Sequence, residues 1–202
     1  YRIDMKGETG RVYSLEVEHE SKQLDVSMTL CDSEGKEVFP AVNLQGPGQG
    51  ERIENWAPAA GAYYLHVASP GDLTRNVPYT VRWRETGRLS ADREFEPNNT
   101  VGEANELKID LVVQGRLASG EDMDVFKVTS AKTEPQAMRI RVTGTDGLHL
   151  AVVLSDDGKP LSPESQLRGG SVEIPGYVLS LGDGQGQPAG TLYVAVRCRY
   201  NY

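Results

Sequence analysis

The sequence predicts an all-β chain built as two tandem antiparallel β-sandwiches, and three observations carry that prediction. Short runs alternate apolar and polar residues, as in Val12-Tyr13-Ser14-Leu15-Glu16-Val17, Tyr64-Leu65-His66-Val67 and Met138-Arg139-Ile140-Arg141-Val142. A period of two is that of a half-buried strand. Turn signals separate the runs: Asp32-Ser33-Glu34-Gly35-Lys36 and Asp156-Asp157-Gly158-Lys159 read as hairpin turns in which Gly supplies positive φ. The same signals also occur twice in the same order. Val12 to Leu15 matches Val125 to Val128, and Leu24 to Leu30 matches Leu148 to Leu154. The two acidic turns follow, and then Gly61 to Val67 matches Gly190 to Val196. Only Val101 to Leu107 offers a short helical pattern.

A chain of 202 residues accommodates two domains of about 100 residues each. Arg84 to Asn99 is charged, contains Gly and Pro and has little apolar content, so it reads as a connecting stretch. The expected organisation is a first sandwich over 1–88, an acidic linker over 89–100 and a second sandwich over 101–202. Val77-Pro78-Tyr79-Thr80-Val81-Arg82-Trp83 reads as the closing strand of the first copy. Tyr200-Asn201-Tyr202 reads as the start of its counterpart, so the last strand of the second copy is expected to be cut short, as is the start of the first. A chain that begins at Tyr1 instead of Met is expected to be a mature product or an excised fragment.

Composition narrows the partners. Hydrophobic residues at 38% and charged residues at 25% suit a folded globular chain. The net charge of −8 and the interleaving of Arg with Glu and Asp over residues 82 to 93 argue against nucleic acid, which requires clustered cations. No run approaches the roughly 20 apolar residues of a membrane-spanning helix. Cys31 and Cys198 fall in different copies and are expected to be free thiols.

The residues with most chemical content are acidic. In an extended segment residues two apart share a face, so Glu94 and Glu96 point the same way, and Pro97 favours extended geometry at Glu96. Asn98 and Asn99 add amide and backbone oxygens. Asp122 and Asp124 form a second same-face pair next to Glu121. If the fold brings these segments together, five carboxylates converge, and such repulsion calls for a cation. Flexible oxygen ligands without His or Cys select a hard ion, Ca²⁺ above Mg²⁺. A solvated acidic linker with no ion is the open alternative. With Tyr13 aligned on Phe126, Thr9 and Arg11 replace Asp122 and Asp124, so at most one site is expected.

Glu94-Phe95-Glu96-Pro97-Asn98-Asn99-Thr100, then Ala104-Asn105, Val113-Gln114-Gly115 and Glu121-Asp122-Met123-Asp124-Val125-Phe126, resemble the ordered motifs of the bacterial pre-peptidase C-terminal domain. The resemblance covers residues 93 to 202. For residues 1 to 90 it rests on the acidic Gly-Lys turn and on Trp56-Ala57-Pro58 through Leu65. It implies jelly-roll-like sandwiches in a protein secreted by bacteria, exposed on the cell surface or held in the periplasm. In related collagen-binding modules the equivalent acidic linker and Asp-rich turn bind calcium, which implicates Glu94, Glu96, Asn98, Asn99, Glu121 and Asp124. Asn99 and Glu121 stand where Asp is common, and Arg116 follows the strand Gly, which weakens the carry-over.

No catalytic constellation emerges. His66 and His149 lie out of phase with flanking apolar residues and are expected to face outward, and His19 has no marked partner. Gly-x-Ser-x-Gly, His-Glu-x-x-His and paired-Cys motifs are absent, and Gly182-Asp183-Gly184-Gln185-Gly186 lacks the Lys and hydroxyl of a phosphate loop. The expectation is a non-catalytic accessory module that binds an extracellular protein or polysaccharide or docks its parent protein. The alternative is a structural spacer that positions or stabilises neighbouring domains. An exposed Tyr-rich face would favour binding. Of the adjacent Tyr63 and Tyr64, one must point outward.

Overall fold

The structure, a computed structural model, describes residues 1–6, 10–69, 76–129, 136–144, 150–156, 159–160, 165–166, 170–179 and 191–198. Among these, every regular element is a strand, and the strand pairing is antiparallel except for one short parallel pair and an isolated parallel bridge between Trp56 and Glu96. The chain divides into two compact units, Tyr1–Pro97 and Asn98–Tyr202.

The first unit contains β1 (Arg2–Met5), β2 (Arg11–Glu18), β3 (Ser27–Cys31), β4 (Glu37–Val42), β5 (Glu51–Trp56), β6 (Gly61–Ala68) and β7 (Thr80–Arg88). They form a sheet of order β1-β6-β3-β4 and a sheet of order β5-β2-β7. One core joins them: Ile3, Met28, Leu30, Phe39 and Leu65 from the first sheet pack with Tyr13, Leu15, Val17, Ile53 and Trp56 from the second. Two inner faces closing on a single apolar layer are a β-sandwich. Trp56 is fully buried, with Tyr63 edge-on at 4.9 Å between ring centroids. The β3–β4 hairpin closes through the expected acidic turn. The Asp32 carboxylate accepts from the Glu34 and Lys36 amides at 2.9 and 3.0 Å, and Gly35 takes φ +81°.

The second unit contains β8 (Asn105–Glu106), β9 (Met123–Thr129), β10 (Gln136–Thr143), β11 (Leu150–Asp156), β12 (Lys159–Pro160), β13 (Ser165–Gln166), β14 (Ser171–Leu179) and β15 (Thr191–Cys198). One sheet has the order β12-β11-β15-β9-β8, with β13 also on β11, and β10 pairs with β14 in another. Phe126, Val128, Val152, Val172, Leu192 and Val194 form its core.

The strand pairing changes the register of the duplication. In the first unit β6 lies between β1 and β3; in the second, β15 lies between β9 and β11. The counterpart of β9 is therefore β1, not β2, which corresponds to β10. Leu65 donates its amide to Tyr1 O at 2.8 Å, and Val194, the repeat partner of Leu65, pairs with Phe126. Tyr1 thus occupies the place of Phe126. The alignment of Tyr13 with Phe126 was a register error, because an alternating run looks alike on any strand. Thr9 and Arg11 say nothing about the acidic site.

Two other expectations change. Arg84 to Arg88 is strand, not connector: β7 pairs with β2 along its whole length, Arg88 opposite Arg11 and Thr80 opposite Glu18. Its charges conceal it because β7 is an exposed edge strand, where charged side chains deter further pairing. Val101 to Glu103 is a turn and Asn105–Glu106 a short strand, not a helix. Tyr63 points inward and Tyr64 outward, and His66 is exposed. Cys31 is buried outside any disulfide, and burial pushes its thiol pKa up. The Cys198 side chain, His149, residues 182–186, Tyr200 and Tyr202 lie outside the described residues.

Two stability tests follow from the first unit. A Cβ on Gly50 would lie 2.1 Å from the Val17 carbonyl oxygen, so Gly50→Ala is expected to cost about 2–3 kcal/mol in denaturant unfolding. Glu51 is buried, and desolvation raises its pKa above the ordinary value, with the Asp25 charge adding to the rise. A carboxyl group whose folded pKa is raised contributes stability below its unfolded pKa and loses it as pH rises through the folded pKa. Glu51→Gln should therefore raise Tm by a few degrees at neutral pH. That advantage should shrink to nothing below about pH 4, and growth on acidification would contradict the assignment.

Candidate metal centre

The acidic segment is shaped by a bulge in β5. Tyr13 pairs with Trp56 but Leu15 pairs with Ile53, so β5 carries one extra residue there. Asn55 takes a left-handed φ of 56°, a conformation that Asn tolerates better than most residues. The bulge offers two groups to the later segment. Asn55 O accepts from the Glu96 amide at 2.8 Å, and Asn55 Nδ2 donates to Glu94 Oε1 at 2.9 Å. Glu96 O then accepts from the Ala57 amide at 2.8 Å. Pinned on both sides of Glu96, the segment runs extended, and the Glu96–Pro97 peptide is cis.

Glu94 and Glu96 share one face of the extended stretch, and both are buried, as is Asn98, while Phe95, Pro97 and Asn99 are half-buried. The next residues lie along the start of β9. Asn98 O accepts from the Val125 amide at 2.9 Å, and Asn99 Oδ1 accepts from the Met123 amide at 3.1 Å. Asp124 lies between those two amides, in the same inward row as Phe126 and Val128.

Carboxylate oxygens of Glu94, Glu96 and Asp124 lie within 4.8 Å of one another, and the three side chains are 3%, 1% and 3% exposed. Two charged carboxylates at that separation repel by about 3.5 kcal/mol at an effective dielectric of about 20. Burial of three such groups is costly, and a bound cation would offset it. Two oxygens bound to one ion at about 2.4 Å can be at most about 4.8 Å apart, so the spacing admits a shared metal ion. Glu94 Oε2 is buried and accepts no hydrogen bond, which leaves it available as a ligand atom. This buried acidic triad can hold a metal ion.

The remaining sequence-predicted ligands take other positions. Asp122 is buried, but its Oδ2 accepts from the Ala118 amide and closes the turn before β9. Asn99 spends its side-chain oxygen on Met123. Glu121 is exposed, as is Arg116. The expected convergence of five carboxylates is therefore reduced to three among the described residues, because Asp122 precedes the strand and strand alternation does not govern it. Asn55 was not anticipated. Its only sequence signal is an Asn within an otherwise strand-like run, a place where bulges occur.

No family model and no curated protein matches this chain.

Asn55→Ala removes both the amide donor and the tolerance for left-handed φ. A loss of about 1–3 kcal/mol in chemical denaturation is expected, and a change under about 0.5 kcal/mol would show that the bulge does not organise the segment.

Proposed function

We propose that this chain is a non-catalytic accessory module of a secreted or surface-exposed bacterial protein, akin to pre-peptidase C-terminal domains, in which Ca²⁺ has a structural role. The observation that supports it is the convergence of three buried carboxylates, Glu94, Glu96 and Asp124. A buried, all-oxygen donor set favours Ca²⁺ over Mg²⁺, which sheds its water shell reluctantly and prefers sites that leave it several waters. The ion would neutralise the buried carboxylates.

Of the two roles open to such a module, binding is favoured over spacing by the exposed aromatics of the first unit, Tyr1, Tyr64, Tyr79 and Trp83. Tyr1 and Tyr79 contact edge to face and share a hydroxyl hydrogen bond of 2.9 Å. Rings held by neighbours present contact area at low entropic cost. An extracellular protein or polysaccharide is the partner class this surface suits.

Calorimetric titration of Ca²⁺ into EDTA-treated protein tests the metal assignment. One bound ion is expected, with about 2.7 kcal/mol of added stability when free Ca²⁺ is a hundred times Kd. Glu96→Gln and Asp124→Asn should abolish both effects, and Mg²⁺ should bind far more weakly. Heat-silent titration with an unchanged melting curve would leave 94–99 as a buried acidic segment neutralised in another way.

A further inference from the structure

The outer face of the β5-β2-β7 sheet carries a second polar site. Tyr13, Leu15 and Val17 of β2 enter the core, so Val12, Ser14 and Glu16 point the opposite way, yet they too are buried. They form the floor of a cleft of about 420 Å³. Its walls are Arg52 and Glu54 of β5 and Arg84, Thr86 and Arg88 of β7. Leu89, Ser90, Arg93 and Phe95 of the chain following β7 complete it. The volume lies within the roughly 300–1,000 Å³ of small-molecule sites.

The cations in this cleft are not equivalent. Arg84 Nη2 donates to both oxygens of Glu16 at 2.6 and 2.7 Å, and Arg52 contacts Glu16 at 3.2 Å and Glu54 at 2.8 Å. Those two guanidiniums are occupied. Arg88 and Arg93 form no ion pair within 4 Å among the described residues, although the Asp92 charge acts on Arg93, and Arg11, opposite Arg88, turns to Glu85. On the floor, Ser14 Oγ is buried without a hydrogen-bond partner, and Ser14 as a whole is 3% exposed. A hydroxyl buried without a partner is destabilising, and an apolar residue would fill the position without that cost.

We propose that this cleft binds a single carboxylated sugar unit of the uronic acid type. Its carboxylate would be held by the planar forks of Arg88 and Arg93. Its hydroxyls would donate to Glu54 at the cleft wall and meet the Ser14 hydroxyl on the floor. A dianion such as sulfate or phosphate brings no donor to Glu16, Glu54 and Glu94, which line the same cleft and repel it. A neutral sugar leaves the two guanidiniums unmatched. The chain's net charge of −8 opposes an extended polyanion, so a terminal or isolated acidic unit is the form that fits.

The test is a titration of the full chain in EDTA, which keeps it independent of the metal assignment, with D-glucuronate, D-glucose, sulfate and N-acetylalanine as probes read by amide chemical shifts. Saturable shifts at Ser14, Glu16 and residues 84 to 93 with glucuronate alone are expected, with Kd about 1 mM. Arg88→Gln and Arg93→Gln, both exposed positions with unchanged Tm, should each weaken binding about tenfold, and Ser14→Ala should weaken it severalfold. Equal response to glucose, to sulfate or to N-acetylalanine would overturn the proposal in favour of a neutral-sugar, simple-anion or peptide-terminus site, respectively. So would the absence of saturable shifts with glucuronate.

Discussion

Strand β2 is buried on both faces and paired on both edges, and the rest of the first unit is arranged around that constraint. A central strand in a two-layer sandwich normally buries one side-chain row and wets the other. Here Tyr13, Leu15 and Val17 fill the core, while Val12, Ser14 and Glu16 lie beneath the chain that follows β7. Burying Glu16 demands charge compensation, and Arg84 and Arg52 supply it from the two neighbouring strands. The edge strand β7 is thereby held by side-chain ion pairs as well as by its ladder, with Arg82 to Glu18 and Arg11 to Glu85 repeating the device at the surface. Exposed pairs of that kind contribute little each, so the pairing of β7 rests mainly on its backbone and on Glu16.

The same strand set leads to the acidic triad. Because β5 bulges against β2, Asn55 turns its carbonyl and amide toward Glu94 and Glu96 and fixes the later segment as an added extended chain. Once Glu96 is pinned, alternation delivers Glu94 to the same side, and Asn98 and Asn99 are held in turn by the Val125 and Met123 amides at the start of β9. Geometry that concentrates three carboxylates in a buried place is costly for stability alone. It suits an ion.

Much of this was legible from residue order, and the parts that were not share a cause. Strand periodicity exposed the sandwich runs and the acidic turns, and i, i+2 spacing correctly placed Glu94 with Glu96. It misregistered the repeat, since one short apolar-polar run looks much like another along the chain. Arg84 to Arg88 escaped notice because an edge strand needs no apolar face when its backbone is paired on one side.

By itself the sequence determined the all-β class, the hairpin turn at Asp32 to Lys36, and the carboxylate-rich character of the segments around Glu94 and Asp124, because these depend on period-two patterning, on Gly at positive φ and on residue type. Tertiary structure decided which carboxylates meet, that Asn55 supports them, and that Ser14, Arg88 and Arg93 share a cleft. Those juxtapositions join residues some 30 to 80 positions apart in the chain. They are set by strand register and by one bulge, and a shift of one residue in either turns every side chain to the other face.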